Sequence, residues 1–408
     1  MPEPTAPQPD PHGIDPAQRD LAGLGALDEA ALRASGALKW SAFPDCIGAF
    51  VAEMDFGTAP AVEQALHGAI DAGRCGYPTA ALARELAEAC AGWLQAQCGW
   101  TLDPERVHAV GDVLGGLEVV LRHFVAPGTP VVLPTPAYMP FRPLLALYGH
   151  PVIEVPHLRT GAGWRMDLDR IDRALGTGAG LVLLCNPHNP TGRVFEAEEL
   201  RALSEVVERH GARVFSDEIH APLVYPGRRH LPYASVSEAA ADHTVTALAA
   251  SKGWNLAGLK CAQLVFTSDA DLARWRGIAL LAGHGVAGLG MIASVAAYRD
   301  GDPWLRQVLA YLRRNRDLLS DWMARHWPEA GFLAPQGTYL AWIDCRGMPI
   351  PESIAPARFF QRRARVALTD GRDCGEAGAG FVRMNFAMPR PILVEALARM
   401  GEALGRGG

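Results

Sequence analysis

Thr246–Lys260 reads TALAASKGWNLAGLK: an apolar run that ends at Ser251-Lys252 and then breaks into glycine-punctuated chain. Lysine is rare in this protein. Of 38 Lys and Arg residues in the 408-residue chain only Lys39, Lys252 and Lys260 are lysines, and two of them fall in this stretch. Arginine replaces lysine in a salt bridge but not as an amine nucleophile. A lysine directly after a buried strand is partly desolvated, which lowers its pKa and frees the amine to attack a carbonyl. The plain alternative is a surface lysine that survived by chance.

The neighbouring sequence places that strand in a larger sheet. TPVVLPTP, HPVIEVP, GLVLLCNPHNPTG, ARVFSDEIH, TVTALAASK and CAQLVFTS are short apolar runs, each followed by turn residues. Such runs fit strands buried on both faces of a mostly parallel sheet. Amphipathic segments such as EAEELRALSEVVERHG fit the crossover helices between them. VHAVGDVLGGLEVVLRHFV reads as a strand, a Gly-rich turn and a helix. The fold class expected is therefore α/β. The character changes after about residue 290, where PWLRQVLAYLRRNRDLLSDWMARHW is a long amphipathic helix. GTYLAWIDCRG, a helix near 354–366 and GFVRMNFAMPR follow it. We expect a large domain over 58–292 and a smaller α+β domain from 25–57 with 293–408. MPEPTAPQPDPHG opens a Pro-rich tail, expected to be disordered over 1–24, and does not read as a signal peptide.

Composition narrows the function. Hydrophobic content is 49% and charged content 20%, with a net charge of −6, as in ordinary soluble enzymes. No basic patch points to nucleic acid, and no apolar run approaches the roughly 20 residues that cross a bilayer. Eight scattered cysteines without a C-x-x-C pair argue for reduced thiols in a cytoplasmic protein. Thirteen histidines without ligand spacing give no expected metal site.

Four motifs fall at strand ends, where ligands of open α/β sheets bind. GDVLGGLE, Gly111 to Glu118, is a Gly-rich turn feeding a helix, which suits a phosphate or is simply a tight turn. CNPHNPTGRVF, Cys185 to Phe195, forces an irregular loop that can aim the Asn189 amide into a cleft. Asp217, after ARVFS, is a carboxylate at the end of a buried strand: a helix cap, or a partner for a buried protonated nitrogen. Lys252 is the fourth. A phosphate cradle, a carboxylate for a ring nitrogen and an amine for a carbonyl describe a pyridoxal phosphate site.

In this order the motifs resemble the fold-type I, class I/II aminotransferase superfamily, and within it the MalY/PatB-type cystathionine β-lyases, or C–S lyases. The resemblance covers nearly the whole chain from about residue 30. It rests on Lys39-Trp40, FVAEMDF at 50–56, GYP at 76–78, PTPAYMPF at 134–141, CNPHNPTGRVF, SDEIHAPLVY, SKGWNLAGLK, GTYLAWIDCR at 337–346 and GFVRMNFAMPR at 380–390. It implies a mostly parallel seven-stranded sheet between helices, with the smaller α+β domain beside it. It also implies pyridoxal 5′-phosphate as cofactor and a homodimer with shared sites. Residue by residue, Lys252 matches the lysine that carries the cofactor and Asp217 the partner of its ring nitrogen. Asn189 matches the amide at its phenolic oxygen, and Tyr138 the aromatic stacked on its ring. Val113 and Leu114 match the backbone amides at its phosphate, with Ser251 and Lys260 beside them. Tyr77 matches a tyrosine that reaches the phosphate from the neighbouring subunit. Arg383 matches the clamp on the substrate α-carboxylate, a task for a planar fork. The 50–56 segment, Ala52 included, approaches the substrate in the family. Lys39 and Trp40 receive no chemistry, and His284 reads as a loop histidine.

Two features bear on the reaction. Where the family usually has Trp-Val-Ala-Asp-Met-Asp-Phe, this chain has Phe50 and Glu53 in place of the Trp and the first Asp, which puts the substrate side chain in question. Three residues after Asp217, transaminases of the superfamily usually carry Tyr; here His220 stands, as in the C–S lyase branch. The leading expectation is β-elimination on cysteine S-conjugates, giving a thiol, pyruvate and ammonia. An aminotransferase or decarboxylating relative, and a pyridoxal phosphate protein with a regulatory role, are the alternatives.

Overall fold

A computed structural model describes residues 21–25, 27–161 and 163–405. Its central sheet has seven strands: β1 (Val107–Val110), β2 (Val131–Thr135), β3 (Val152–Pro156), β4 (Leu181–Cys185), β5 (Arg213–Asp217), β6 (Thr244–Leu248) and β7 (Ala262–Phe266). They lie in the order β1-β7-β6-β5-β4-β2-β3. Neighbours are parallel from β6 to β3, and β7 runs antiparallel to both β6 and β1.

Alternation along the strands explains why these runs are apolar throughout. On β4, Leu181 and Leu183 face one core and Val182 and Leu184 the other; on β5, Phe215 and Val214 divide in the same way. With helices over both faces, the strand residues in the middle of the sheet are buried except Arg213 at the start of β5. Helix Val113–His123 lays Leu117 and Val120 on the first face. Helix Ala197–Arg209 lays Leu200, Leu203 and Val207 on the second.

A second, antiparallel sheet holds β8 (Leu340–Asp344), β9 (Thr369–Asp370) and β10 (Phe381–Asn385) in the order β8-β10-β9. Helix Asp302–His326 buries Trp304, Leu305, Val308, Leu312, Leu319 and Met323 in the largest core. The helix expected near 354–366 spans Pro356–Arg363. It starts where proline takes its first turn and stops before Arg365, whose φ is 55°. Residues 1–20 of the expected tail lie outside the described residues. Leu21–Leu24 is a helical turn, not disordered chain, because Leu24 is buried in that core. Among the described residues no helix is long and apolar enough to cross a membrane.

The N-terminal segment reaches the C-terminal part by pairing Ile47–Gly48 in parallel with Val366–Ala367. Gly48 is obligatory there, since a Cβ would lie 1.8 Å from the Lys39 carbonyl oxygen. Beyond it the chain is held by a buried ion pair. Lys39 Nζ sits 2.8 Å from Asp55 Oδ2, and Trp40 Nε1 donates to Asp55 Oδ1 at 2.9 Å. Lys39 also donates to the Ala387 carbonyl at 2.9 Å. Breaking such a pair from one side leaves an uncompensated buried charge. Lys39→Met is therefore expected to cost about 3–5 kcal/mol in urea unfolding, and Lys39→Met with Asp55→Leu to recover most of it.

Candidate active site

The carboxyl ends of β2, β4, β5 and β6 point to one side of the sheet, and the chain that follows each turns into a single cavity of about 730 Å³. The strand order reverses between β2 and β4, as expected of a ligand crevice. Tyr138 follows β2, Asn189 follows β4, Asp217 ends β5, and Ser251 and Lys252 follow β6; all line the cavity. Because β7 is antiparallel, its start returns Lys260 to the same edge, beside the end of β1. Val113, Leu114, Ala52, His220 and Arg383 complete the expected set on the cavity wall. Tyr77 is the exception: it is 90% exposed and lies off this wall. His284, exposed in a turn, is also absent from it.

One end of the cavity suits an anion. Asp112 caps the helix Val113–His123, accepting from Gly115 N at 2.7 Å. The first amides of that helix, at Val113 and Leu114, open the positive end of its dipole toward the cavity. Lys260, in the left-handed region at φ 47°, places Nζ 2.7 Å from Asp112 Oδ2. Partial burial works to raise the Asp112 carboxyl, but the Lys260 hydrogen bond and the Gly115 amide bring it below its usual value.

The middle of the cavity holds charges that are not satisfied among themselves. Asp217 accepts from Ile219 N at 3.1 Å, and among the described residues no lysine or arginine pairs with it. Burial pushes its carboxyl up to about 7, with the Ile219 amide opposing and the adjacent Glu218 adding to the rise. Burial, then the Arg383 charge, lowers the Lys252 amine to about 8. Its Nζ donates to the Ala52 carbonyl at 2.8 Å. His220 is 1% exposed, and its Nδ1 has no partner. Burial, with Lys252 and Arg383 nearby, lowers it to about 3, so its ring is neutral.

The far wall holds Arg383 on β10, 2% exposed. It donates to Asn189 Oδ1 at 3.0 Å, to the Phe50 carbonyl at 2.7 Å and to Thr369 Oγ1 at 3.2 Å. Asn189 is carried by a loop that cannot change shape freely. Gly192, at φ 69°, passes so close to Pro335 that a Cβ would lie 2.3 Å from its ring. The two departures in the 50–56 segment both bear on this part of the site. Phe50 offers its carbonyl while its ring stands edge-on to Phe43 at 5.0 Å. Glu53 offers its carbonyl to Asn385 Nδ2 at 2.6 Å.

Three residues near the site carried no role in the sequence. Thr369 supplies a hydroxyl to Arg383, Asp112 pairs with Lys260, and Tyr339 donates to the Ala52 carbonyl at 2.9 Å. Tyr339 lies in GTYLAWIDCR and Asp112 in GDVLGGLE, both prominent motifs; Thr369 sits in no motif.

The donor set fits pyridoxal phosphate. An anion end, a buried carboxylate lacking a cation and a desolvated amine share one cavity, which is what a phosphorylated pyridine aldehyde requires. Among the described residues no cluster of His, Cys, Asp and Glu could hold a metal.

Comparison with known proteins agrees. The family model "Aminotransferase class I and II" matches residues 45–400. Cystathionine beta-lyase from Corynebacterium glutamicum is 38% identical over 371 residues, 90% of this chain and 96% of its own. Cystathionine beta-lyase PatB from Bacillus subtilis is 32% identical over 88% of this chain and 93% of its own. A solved structure described as a PLP-dependent beta-cystathionase from Corynebacterium diphtheriae superposes with a TM-score of 0.88 at 38% identity, covering 94% of this chain and 99% of that one. The PLP-bound C-S lyase from Staphylococcus hominis gives 0.85 at 28% identity, over 91% and 96%. The chain belongs to the class I and II aminotransferase family, in the cystathionine β-lyase branch that includes PatB and MalY.

Proposed function

We propose that this chain is a pyridoxal phosphate-dependent carbon–sulfur lyase. It cleaves L-cysteine S-conjugates with water to a thiol, pyruvate and ammonia. The observation that carries the reading is the joint placement of Lys252, Asp217 and Arg383 in one cavity. The family gives the reaction type.

Pyridoxal phosphate, when bound, supplies an aldehyde for the substrate amine and a protonated ring that takes up electrons from Cα. The chain supplies the rest. The Val113 and Leu114 amides, Ser251 and Lys260 hold the phosphate. Asp217 gains the protonated nitrogen that its buried carboxylate lacks. Tyr138 would stack on the ring, and Asn189 and His220 would hold the phenolic oxygen. Arg383 exchanges the Phe50 carbonyl for the substrate α-carboxylate, a better partner for a guanidinium. The Ala52 carbonyl borders the reacting amine. Lys252, whose amine burial and the Arg383 charge lower to about 8, takes the proton from Cα in its neutral form, after which the thiolate leaves Cβ. Tyr77 reaches the phosphate of a second copy in a homodimer. We read the chain as a cofactor domain, 58–292, and a smaller domain from 25–57 with 293–408. Eight free thiols suit a cytoplasmic enzyme.

The test is S-ethyl-L-cysteine or L-cystathionine without a keto acid. Multiple turnovers with equal thiol and pyruvate are expected. A single bleaching of the cofactor, reversed by a keto acid, would establish transamination instead. Lys252→Ala is expected to lower turnover about 10⁴-fold or more. The base must be deprotonated, so kcat should fall as pH drops below about 8, the value to which burial lowers Lys252. The acid limb of a kcat–pH profile measures this. His220→Tyr should raise the share of reaction that ends in transamination, read as pyruvate released per cofactor bleached.

A further inference from the structure

The Ala52 carbonyl accepts two side-chain donors, Lys252 Nζ at 2.8 Å and Tyr339 Oη at 2.9 Å. The tyrosine is not a cavity-lining residue; it is 1% exposed behind the wall, with its ring edge-on to His220 at 6.1 Å. Burial, then the nearby Glu53 charge, raises its phenol well above the ordinary value, so it acts as a fixed donor and not as a base.

Much around it serves to hold it in place. Thr338, the preceding residue, has φ 66°. A β-branched residue in the left-handed region is a steric outlier that persists only where its surroundings enforce it. They do so here: Thr338 N donates to the Leu223 carbonyl at 2.7 Å, and Tyr225 Oη donates to the Thr338 carbonyl at 2.7 Å. The Tyr339 carbonyl in turn accepts from Phe386 N at 3.0 Å. The acceptor is fixed equally well. Asn385 Nδ2 takes the carbonyls on either side of Ala52, at Val51 (2.7 Å) and Glu53 (2.6 Å).

We propose that Tyr339 is a positioning residue for the base. It fixes the Ala52 carbonyl as the resting place of the Lys252 amine whenever that amine is free, so that its lone pair faces the substrate Cα. An amine that donates one N–H to a fixed acceptor loses the rotations that would turn its lone pair away. Misplacement of a reacting group by about 1 Å costs on the order of 10²-fold in rate. This inference rests on the lyase reading.

Tyr339→Phe keeps the ring and removes only the donor. With S-ethyl-L-cysteine we expect kcat to fall roughly ten- to hundredfold. The isotope effect on kcat from α-deuterated substrate should rise, since proton transfer becomes slower relative to the other steps. The α-methyl analogue, which has no proton to lose, reports binding through the cofactor absorbance; its Kd should change less than about twofold. Unchanged kcat and isotope effect would overturn the proposal. So would a rise in Kd that matches the fall in kcat, which would make Tyr339 a merely structural residue. If the wild-type protein releases no thiol, the lyase reading fails separately. The rate and isotope effect of cofactor bleaching by the same substrates then decide the role of Tyr339.

Discussion

Four consecutive carbonyls, Phe50 to Glu53, have side-chain donors where a strand would have a ladder. Phe50 O takes Arg383 and Thr369, Val51 O takes Asn385, Ala52 O takes Lys252 and Tyr339, and Glu53 O takes Asn385 again. Buried backbone groups must be paired, so this run is ordered only while those side chains are in place. The donors come from two distant parts of the chain: Lys252 follows the central sheet, and the others lie on or beside the second one. The same hydrogen bonds therefore shape the substrate wall and join the two sheets. The Lys39–Asp55 pair closes the far end of the run.

Charge explains why the cavity is poised for a ligand. Lys252 and Arg383 are buried cations, and each finds uncharged oxygens. Asp217 is a buried carboxyl whose ionised form is disfavoured by burial and accepts one backbone amide. Each arrangement is tolerable and none is optimal, because a carbonyl compensates a desolvated charge less well than an opposite charge does. A protonated nitrogen would pair with Asp217, and a separate carboxylate would suit Arg383 better than the carbonyl and amide oxygens it now holds. The shifts at Lys252 and Asp217 thus have a common origin in desolvation.

The sheet was legible because strands buried on both faces leave continuous apolar runs, as in Leu181–Cys185, and because function sits at their ends. That rule put Asp217, Asn189 and Lys252 at strand ends, and the structure brings the three to one cavity. Tyr339 and Thr369 were not, since their contacts run to backbone oxygens 287 and 319 residues away in sequence. Any residue type supplies such an oxygen, so no motif marks it. The Lys39–Asp55 pair was unreadable for a related reason: each residue has an ordinary surface use, and only the fold buries both. Lys260 and Lys39 serve as cations beside Asp112 and Asp55.

The antiparallel turn of β7 has a consequence for how the protein comes together. It brings Lys260 to Asp112 across 148 residues, and β1 joins the sheet only through β7. Closing so long a loop carries an entropic cost that local structure does not repay, so these contacts are disfavoured until the intervening strands have assembled. The anion-binding end of the cavity is accordingly among the most non-local parts of the site. An intact anion-binding end therefore requires the far edge of the sheet, β7 with β1, to be in place.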